Sequence, residues 1–356
     1  WWQNAEPTVN AQEIRLISAE SPQAVRDAFE FSDVEIAYTD PSASNTADYH
    51  CDYELWSVPS TVMLYLGFNQ SSNYFYSNTL RAGVTYAVDR ETILSEDYGG
   101  FGSIATLPCS PLSAYYDAGL ASSYAYSPDS FQYSLSTSGI LPDASQPVRL
   151  LVSNTSAKRI AVANRIASKL TELGLYTEVT SSSEDEFLYA LQTGNFDLYL
   201  SEIRLAPNFD LRCFFTLYGS AAYGGIGGDA ALQYCDQALE NSGNYYDLCR
   251  TVVGRGLICP ILFRSNALYS ARGVVSAHSV SLSNFFAAQP EQSLTDILSE
   301  TPYQPSAPVT EEDGNTPADG DDTTPTEGDT PEPTGDLPAD PLPEDSSAPD
   351  GEAPIE

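Results

Sequence analysis

Between Val148 and Ile203 the apolar pattern changes period four times, and that alternation restricts the fold more than any other feature of the chain. Val148–Ser153 (VRLLVS) reads as a strand. Ser156–Leu173 reads as a helix, because Ile160, Ala163, Ile166, Ala167, Leu170 and Leu173 recur at three- and four-residue steps. Gly174 stands where a left-handed residue stops such a helix. Tyr176–Thr180 alternates as a second strand, and Ser183 with Glu186 forms a capping box that opens a helix running to Thr193, closed by Gly194. Phe196–Ile203 (FDLYLSEI) is the third strand. Strand–helix–strand–helix–strand requires right-handed crossovers and parallel strands covered by helices, so the fold class is α/β.

The flanking elements are shorter. Glu13–Ser18 reads as a strand, Pro22–Phe31 as a helix and Val34–Tyr38 as a short apolar run, followed by a polar loop over residues 39–50. Val62–Phe68 (VMLYLGF) is continuously apolar, the pattern of a strand buried on both faces. A helix is expected from Asn78 to Glu96, with Leu80, Val84, Ala87, Val88, Glu91 and Leu94 in step and Ser77 or Asn78 as its cap. Residues 99–147 read as loops with one or two short helices. Their tyrosines 115, 116, 124 and 126 either line a recognition surface or pack half-buried with wet hydroxyls. After a long loop over 204–228, helices are expected at Asp229–Glu240 and Tyr245–Gly254, and strands at Ile258–Phe263 and Ala267–Ala271. Residues 281–286 end the folded part, and no internal repeat is visible.

Charge excludes several partners. The 356 residues carry 15 Lys+Arg against 49 Asp+Glu, a formal net charge of −34. Residues 301–356 hold 16 of the acids, no Lys or Arg and 12 of the 24 prolines. Such a Pro/Thr/Asp/Glu mixture cannot bury enough apolar surface to offset chain entropy, and a disordered tail is expected there. The body still stands at −18, with Lys158 and Lys169 as its only lysines, and so offers no basic stripe to nucleic acid or an anionic membrane. No apolar run approaches the roughly 20 residues of a membrane span. Trp1 follows no initiator Met, charged region or apolar leader, and reads either as a cut inside a longer sequence or as a mature terminus. The six cysteines fit either disulfides in an oxidising compartment or buried thiols, and with two histidines and no CxxC pair no zinc site is expected.

Catalytic signatures are few. Around Ser220 the stretch Tyr218-Gly219-Ser220-Ala221-Ala222 lacks the second glycine of a nucleophile elbow, and His50 and His278 lie in loop contexts. Gly99-Gly100-Phe101-Gly102 follows a helix rather than a strand, so it does not form a phosphate-binding loop. Glu184, Asp185 and Glu186 sit where acids complement a helix dipole. What remains is Glu202 and Arg204 at the carboxyl end of the third strand, with Asn208 and Asp210 beyond. Ligands of open α/β sheets bind there, although Glu202 and Arg204 could equally form a surface pair. No cofactor is expected.

Five segments, in order, resemble the family 5 extracellular solute-binding proteins, the oligopeptide- and dipeptide-binding class of ABC importers. They are Leu64-Tyr65-Leu66-Gly67-Phe68-Asn69; Leu80-Arg81 through Tyr86-Ala87-Val88-Asp89-Arg90-Glu91 to Ile93-Leu94; Lys158–Gly174; Gly194-Asn195-Phe196-Asp197-Leu198-Tyr199-Leu200; and Ile258-Cys259-Pro260-Ile261. The resemblance implies a type II periplasmic-binding-protein-like clamshell. Residues 1–62 would end lobe one, 63–262 would form lobe two, 263–290 would return to lobe one, and 291–356 would be linker and tail. It implies a non-enzymatic binder of peptide or a related small solute, partnered by permease subunits and placed on the extracellular face of the cytoplasmic membrane. Most of lobe one and any lipid anchor would lie upstream of Trp1. One departure matters: where peptide binders of this family show Gly-Trp, then an acid for the peptide's amino terminus and then Asp-Pro, this chain has Ser201-Glu202-Ile203-Arg204-Leu205-Ala206-Pro207-Asn208-Phe209-Asp210, with Arg204 at the Trp position and no match for the acid unless Glu202 or Asp210 takes its place. Arg204 favours a carboxylate or other anionic group. The alternatives are a surface adhesion module working through the tyrosine loops, without a small-molecule cleft, or a hydrolase using His50 or His278.

Overall fold

A computed structural model of the chain describes residues 15–41, 49–225 and 229–272. The expected strand's first two residues, His278, the 281–286 segment and the acidic tail lie outside the described residues.

In chain order the elements are α1 (Pro22–Glu30), β1 (Ile36–Thr39), β2 (Glu54–Phe68), α2 (Asn78–Ala87), α3 (Arg90–Thr92) running into a π turn over Ile93–Asp97, and β3 (Gly102–Ile104). Then come α4 (Ala118–Ser123), α5 (Pro128–Thr137), β4 (Val148–Ser153), α6 (Ala157–Glu172), β5 (Thr177–Ser182), α7 (Glu184–Thr193) and β6 (Leu198–Arg204). The rest is α8 (Arg212–Phe215), α9 (Asp229–Glu240), a 3-10 turn at Ser242–Asn244, α10 (Tyr245–Gly254) and β7 (Ile258–Ser270).

One sheet runs in the order β1-β7-β2-β6-β4-β5, with β3 also pairing β7. β4 lies parallel to both β5 and β6, as the strand–helix alternation requires. The rest of the sheet departs from the expected parallel order: β2 is antiparallel to β6 and β7, and β7 to β1 and β3. β3, β4 and β5 come between β2 and β6 in the chain, so the two are not joined as one strand–helix–strand unit and the crossover rule does not require them to run parallel.

Both faces of the sheet are buried, which accounts for the unbroken apolar run in β2. Met63 and Tyr65 join Leu151, Tyr199 and the residues of α7 to α10 on one face. Leu64, Leu66 and Phe68 join Leu150, Val152 and the apolar stripes of α2, α5 and α6 on the other. Beyond this sandwich β2 and β7 continue together to a third cluster, where Leu55, Ala267 and Tyr269 pack with Phe29 and Ala37. Between these two regions the β2–β7 register shifts, first between Pro59 and Met63 and again between Leu64 and Tyr65. Pro59 has no N–H to give, and the Ser60 hydroxyl donates to the Arg264 carbonyl at 2.6 Å.

Several expectations are corrected. Residues 15–19 are irregular rather than a strand, and Leu16 and Ile17 are exposed. The helix expected over 78–96 breaks at Val88, whose ψ of 107° is extended, and restarts under an Asp89 cap. The break is held by Arg90, whose guanidinium donates to the Thr85 and Val88 carbonyls that the end of α2 leaves unpaired. Ser77 occupies the α2 cap position but gives its hydroxyl to the Ser138 carbonyl instead. The two strands expected at 258–263 and 267–271 are one continuous strand. By contrast, Ser156 caps α6, the Ser183–Glu186 capping box is formed, and Gly194 closes α7 at φ 71°.

Candidate functional site

β4 and β5 end level at Ser153 and Ser182, β6 runs three residues past them to Arg204, and charged groups gather along that edge. Glu202, on β6 opposite Leu64, turns its carboxylate towards β7 and accepts from Arg264 at 2.8 Å and from the Tyr98 hydroxyl at 3.2 Å. Arg264 also pairs with Asp40. Lys158, in the first turn of α6, donates to the Pro41 carbonyl at 3.1 Å and lies 5.9 Å from the centroid of the Tyr98 ring.

The electrostatics follow from this enclosure. Burial and then the Glu202 carboxylate push the Tyr98 phenol well above its ordinary value, so it stays a proton donor. Burial works against the Arg264 charge, but the Glu202 and Asp40 carboxylates outweigh it and raise its pKa. Lys158 has no ion pair among the described residues, and burial lowers its pKa. Next to it Arg159 donates to the Thr155 hydroxyl at 2.5 Å, while its Nε is buried without a partner among the described residues. On the same edge Ser153 donates to Glu184 at 2.5 Å and the buried Ser182 hydroxyl has no partner among the described residues.

The four residues expected from sequence fall into two groups. Glu202 and Arg204 share one face of β6, yet they form no pair: Glu202 is committed to Arg264, and Arg204 is exposed with no partner among the described residues. Asn208 and Asp210 belong to the next turn. The Asn208 side chain accepts from the Asp210 N–H at 3.3 Å, and Asp210 holds Arg212 at 2.6 Å. That turn is pinned by Phe209, a buried residue at φ 53° whose ring meets Phe263 edge-on at 5.6 Å. A bulky side chain in the left-handed region persists only where packing over-determines it. Asn208 and Asp210 line a small pocket with Tyr115, Cys235 and Tyr245. Among the described residues no hydrogen bond or ion pair joins them to Glu202 or Arg204.

Sequence reasoning missed Tyr98, Lys158 and Arg264. Arg264 had a readable signal, because a lone arginine inside the apolar strand ILFRSNALY needs a buried partner. Tyr98 and Lys158 had none, since only the folded sheet brings them to Glu202. His50 is exposed, and its backbone N–H donates to Glu30 at 2.6 Å. Tyr115, Tyr116 and Tyr124 pack against the core, while Tyr126 is exposed. No cysteine is in a disulfide. Among the described residues, no three His, Cys, Asp or Glu side chains gather as metal ligands, and no helix is long and apolar enough to cross a membrane.

Known structures share this fold. The substrate-binding protein CtaP of Listeria monocytogenes superposes with a TM-score of 0.62 at 16% identity, over 71% of this chain and 54% of that one. The oligopeptide-binding protein AppA of Bacillus subtilis, solved with a nonapeptide, gives 0.55 at 16%, over 80% and 59%. NikZ of Campylobacter jejuni, solved with Ni(L-His), gives 0.56 at 15%, over 74% and 57%. The chain thus spans little more than half the length of these structures. No curated protein matches the sequence. The family model "Bacterial extracellular solute-binding proteins, family 5 Middle" matches residues 1–225, and the chain belongs to that family.

Proposed function

We propose that this chain is part of the substrate-binding component of an ABC importer, which captures a peptide or related small solute in a cleft between two lobes and delivers it to permease subunits. The observation that carries the reading is where the charged edge lies. Glu202 and Arg204 sit at the carboxyl ends of the parallel strands, beside the irregular stretch of β2 and β7. In this reading residues 1–62 complete lobe one, 63–262 are lobe two and 263–290 return to lobe one. The chain then passes between lobes at the register shift that follows Pro59. Such a pair of strands is a natural hinge for closure around a ligand. The family description places the protein outside the cytoplasm, and the lipid anchor expected upstream would hold it at the outer face of the membrane.

Arg204 is assigned the direct contact, because it is exposed and its guanidinium matches a ligand carboxylate. Glu202 acts through Arg264, and Asn208 and Asp210 supply polar contacts from the neighbouring turn. A peptide is the first choice of solute, in line with AppA and its nonapeptide. The adhesion reading loses its basis, because three of the four loop tyrosines are packed inward.

Thermal unfolding of the natural full-length protein with pools of di- to octapeptides tests the proposal. A ligand at 100 times its Kd adds about 2.7 kcal/mol, a shift of several degrees for a protein of this size. The shift is expected to vanish in Arg204→Ala. A response to a nickel–histidine chelate alone would replace peptide with a metal complex as the solute. No response to any pool in folded protein would overturn the reading.

A further inference from the structure

Most of the few cations in this acidic chain are already matched. Among the described residues Arg26, Arg149, Arg165, Lys169, Arg212, Arg250, Arg264 and Arg272 form ion pairs, and Arg81 and Arg90 are anchored on buried carbonyls. Lys158, Arg159 and Arg204 differ: none has an ion pair among the described residues, and all three stand at the carboxyl ends of β4 and β6. Arg255 follows α10 at the opposite end of the sheet, just before the β7 residue that pairs with Gly67.

The three cations also share one side of the sheet. On β6, Leu198 and Leu200 pack into the cluster that holds the apolar stripe of α6, and Glu202 and Arg204 continue that face. α6 opens over it with Lys158 and Arg159 in its first turn. Lys158 lies 5.9 Å from the centroid of the Tyr98 ring, whose hydroxyl donates to Glu202 at 3.2 Å. Arg204 is two residues beyond Glu202, about 7 Å along an extended strand. Lys158 and Arg204 therefore adjoin the same Tyr98–Glu202 contact.

The acids around them are engaged elsewhere. Glu202 and Asp40 hold Arg264, Asp97 holds Arg165 at 2.8 Å, and Glu184 accepts from Ser153 at 2.5 Å. Glu184, Asp185 and Glu186 open α7, which packs on the other face of the sheet. A chain with 49 acids has carboxylates to spare, yet it leaves three cations without an ion pair at the strand ends where ligands of open α/β sheets bind.

We propose that the solute carries at least two anionic groups, one held by Arg204 and a second by Lys158 with Arg159. This rests on the substrate-binding reading above and narrows it from peptides in general to acidic ones. Arg204 grips a carboxylate through its planar fork, while Lys158 acts as a point charge. Burial without a paired carboxylate lowers the Lys158 pKa, and an anion beside it would hold the ammonium in its charged form. The negative charge of the rest of the body does not repel such a solute from within the cleft, since salt screens exposed charges beyond about 8 Å. A basic peptide would bring like charge to all three side chains.

The test is calorimetric titration of the natural full-length protein with three sets of pentapeptides, identical except that Ala alternates with Glu, with Gln or with Lys. The Glu set is expected to bind about tenfold tighter than the Gln set, and the Lys set most weakly. The preference for Glu should shrink as NaCl rises from about 0.05 to about 0.5 M. Lys158→Gln and Arg159→Gln should each reduce it several-fold, and Lys158→Arg should keep most of it; melting of each free variant shows that it folds. Equal affinity for the Glu and Gln sets at low salt would overturn the proposal and leave peptide capture standing. Citrate separates the sources of the charge: binding of citrate with none of any peptide would keep the two-anion site and overturn the peptide reading. Binding of neither the Glu set nor citrate would overturn the proposal. The comparison of Glu with Gln is made on the unaltered protein, so it decides the matter even where a variant does not fold.

Discussion

Arg90 carries a charge into the core with no carboxylate among its partners. Its guanidinium donates to the carbonyls of Thr85, Val88, Ala105 and Pro260 and to the Thr85 hydroxyl, while Cys259 lies at 3.5 Å. Burial lowers its pKa, yet the planar fork satisfies several backbone oxygens at once. Arg81 works similarly on the carbonyls of Phe75 and Gly256. The two arginines of the family-like helix are therefore ties between α2, the segment after β3 and the start of β7, and not ligand contacts. Lysine has three donors on one point and cannot reach the same oxygens. Arg90→Lys is expected to cost about 3 kcal/mol of unfolding free energy in urea titrations, and a loss below about 1 kcal/mol would show that these ties matter little. At this scale the sequence was readable where a residue type already states its need. Gly194, for example, signals a helix stop. Partners were not readable, because the pairing of Glu202 with Arg264 and Tyr98 depends on strands far apart in sequence.

Where β2 crosses β6, Gly67 lies opposite Tyr199, and a Cβ at Gly67 would come within 2.1 Å of the tyrosine ring. The ring fills the space a side chain would take, and it meets Tyr65 and Phe196 edge-on at 5.8 and 5.3 Å. Gly67→Ala must displace this ring inside a core buried on both faces, at about 1–3 kcal/mol. Shortening the tyrosine makes room, so in Gly67→Ala/Tyr199→Leu the two losses should not add; full additivity in a double-mutant cycle would place the strain elsewhere. Elements with strong periodicity were legible in outline: β4, α6, α7, α9 and α10 fall where their patterns put them. The failures share one cause, which is that tertiary partners override local pattern. Arg90 ends α2 nine residues early, β7 runs through Arg264 because Glu202 neutralises it, and the apolar Leu16 and Ile17 have no place in the described sheet.

Taken whole, the molecule has buried an unusual number of weak acids in their neutral form. Burial raises Tyr65, Tyr98, Tyr199, Tyr245 and Tyr269 above the usual phenol range and Tyr49 to about 12, and it raises Cys213 and Cys235 as well. In the unfolded chain these phenols lose their protons near pH 10. Above that pH the unfolded state is deprotonated while the folded state still holds its protons, so rising pH favours unfolding. The stabilisation is full below the unfolded values and is lost as pH climbs towards the folded ones. Unfolding free energy should be level from pH 7 to about 8, fall first as the unfolded chain's thiols ionise and more steeply as its phenols do, each such group contributing about 1.4 kcal/mol per pH unit. The formal charge of −34 at pH 7 is already present across the level region, so repulsion among the carboxylates cannot produce that onset. Tyr49 separates the two causes. Among the described residues its hydroxyl is buried without a hydrogen-bond partner, and its ring stacks on Tyr269 at 4.0 Å. Tyr49→Phe keeps the stack and removes the orphaned hydroxyl. At pH 7 the variant should equal or exceed the parent in stability by up to about 1 kcal/mol, and by pH 11 its advantage should widen by about another 1 kcal/mol. A constant difference between the two proteins across that range would mean that Tyr49 is not among the groups whose burial sets the alkaline limit.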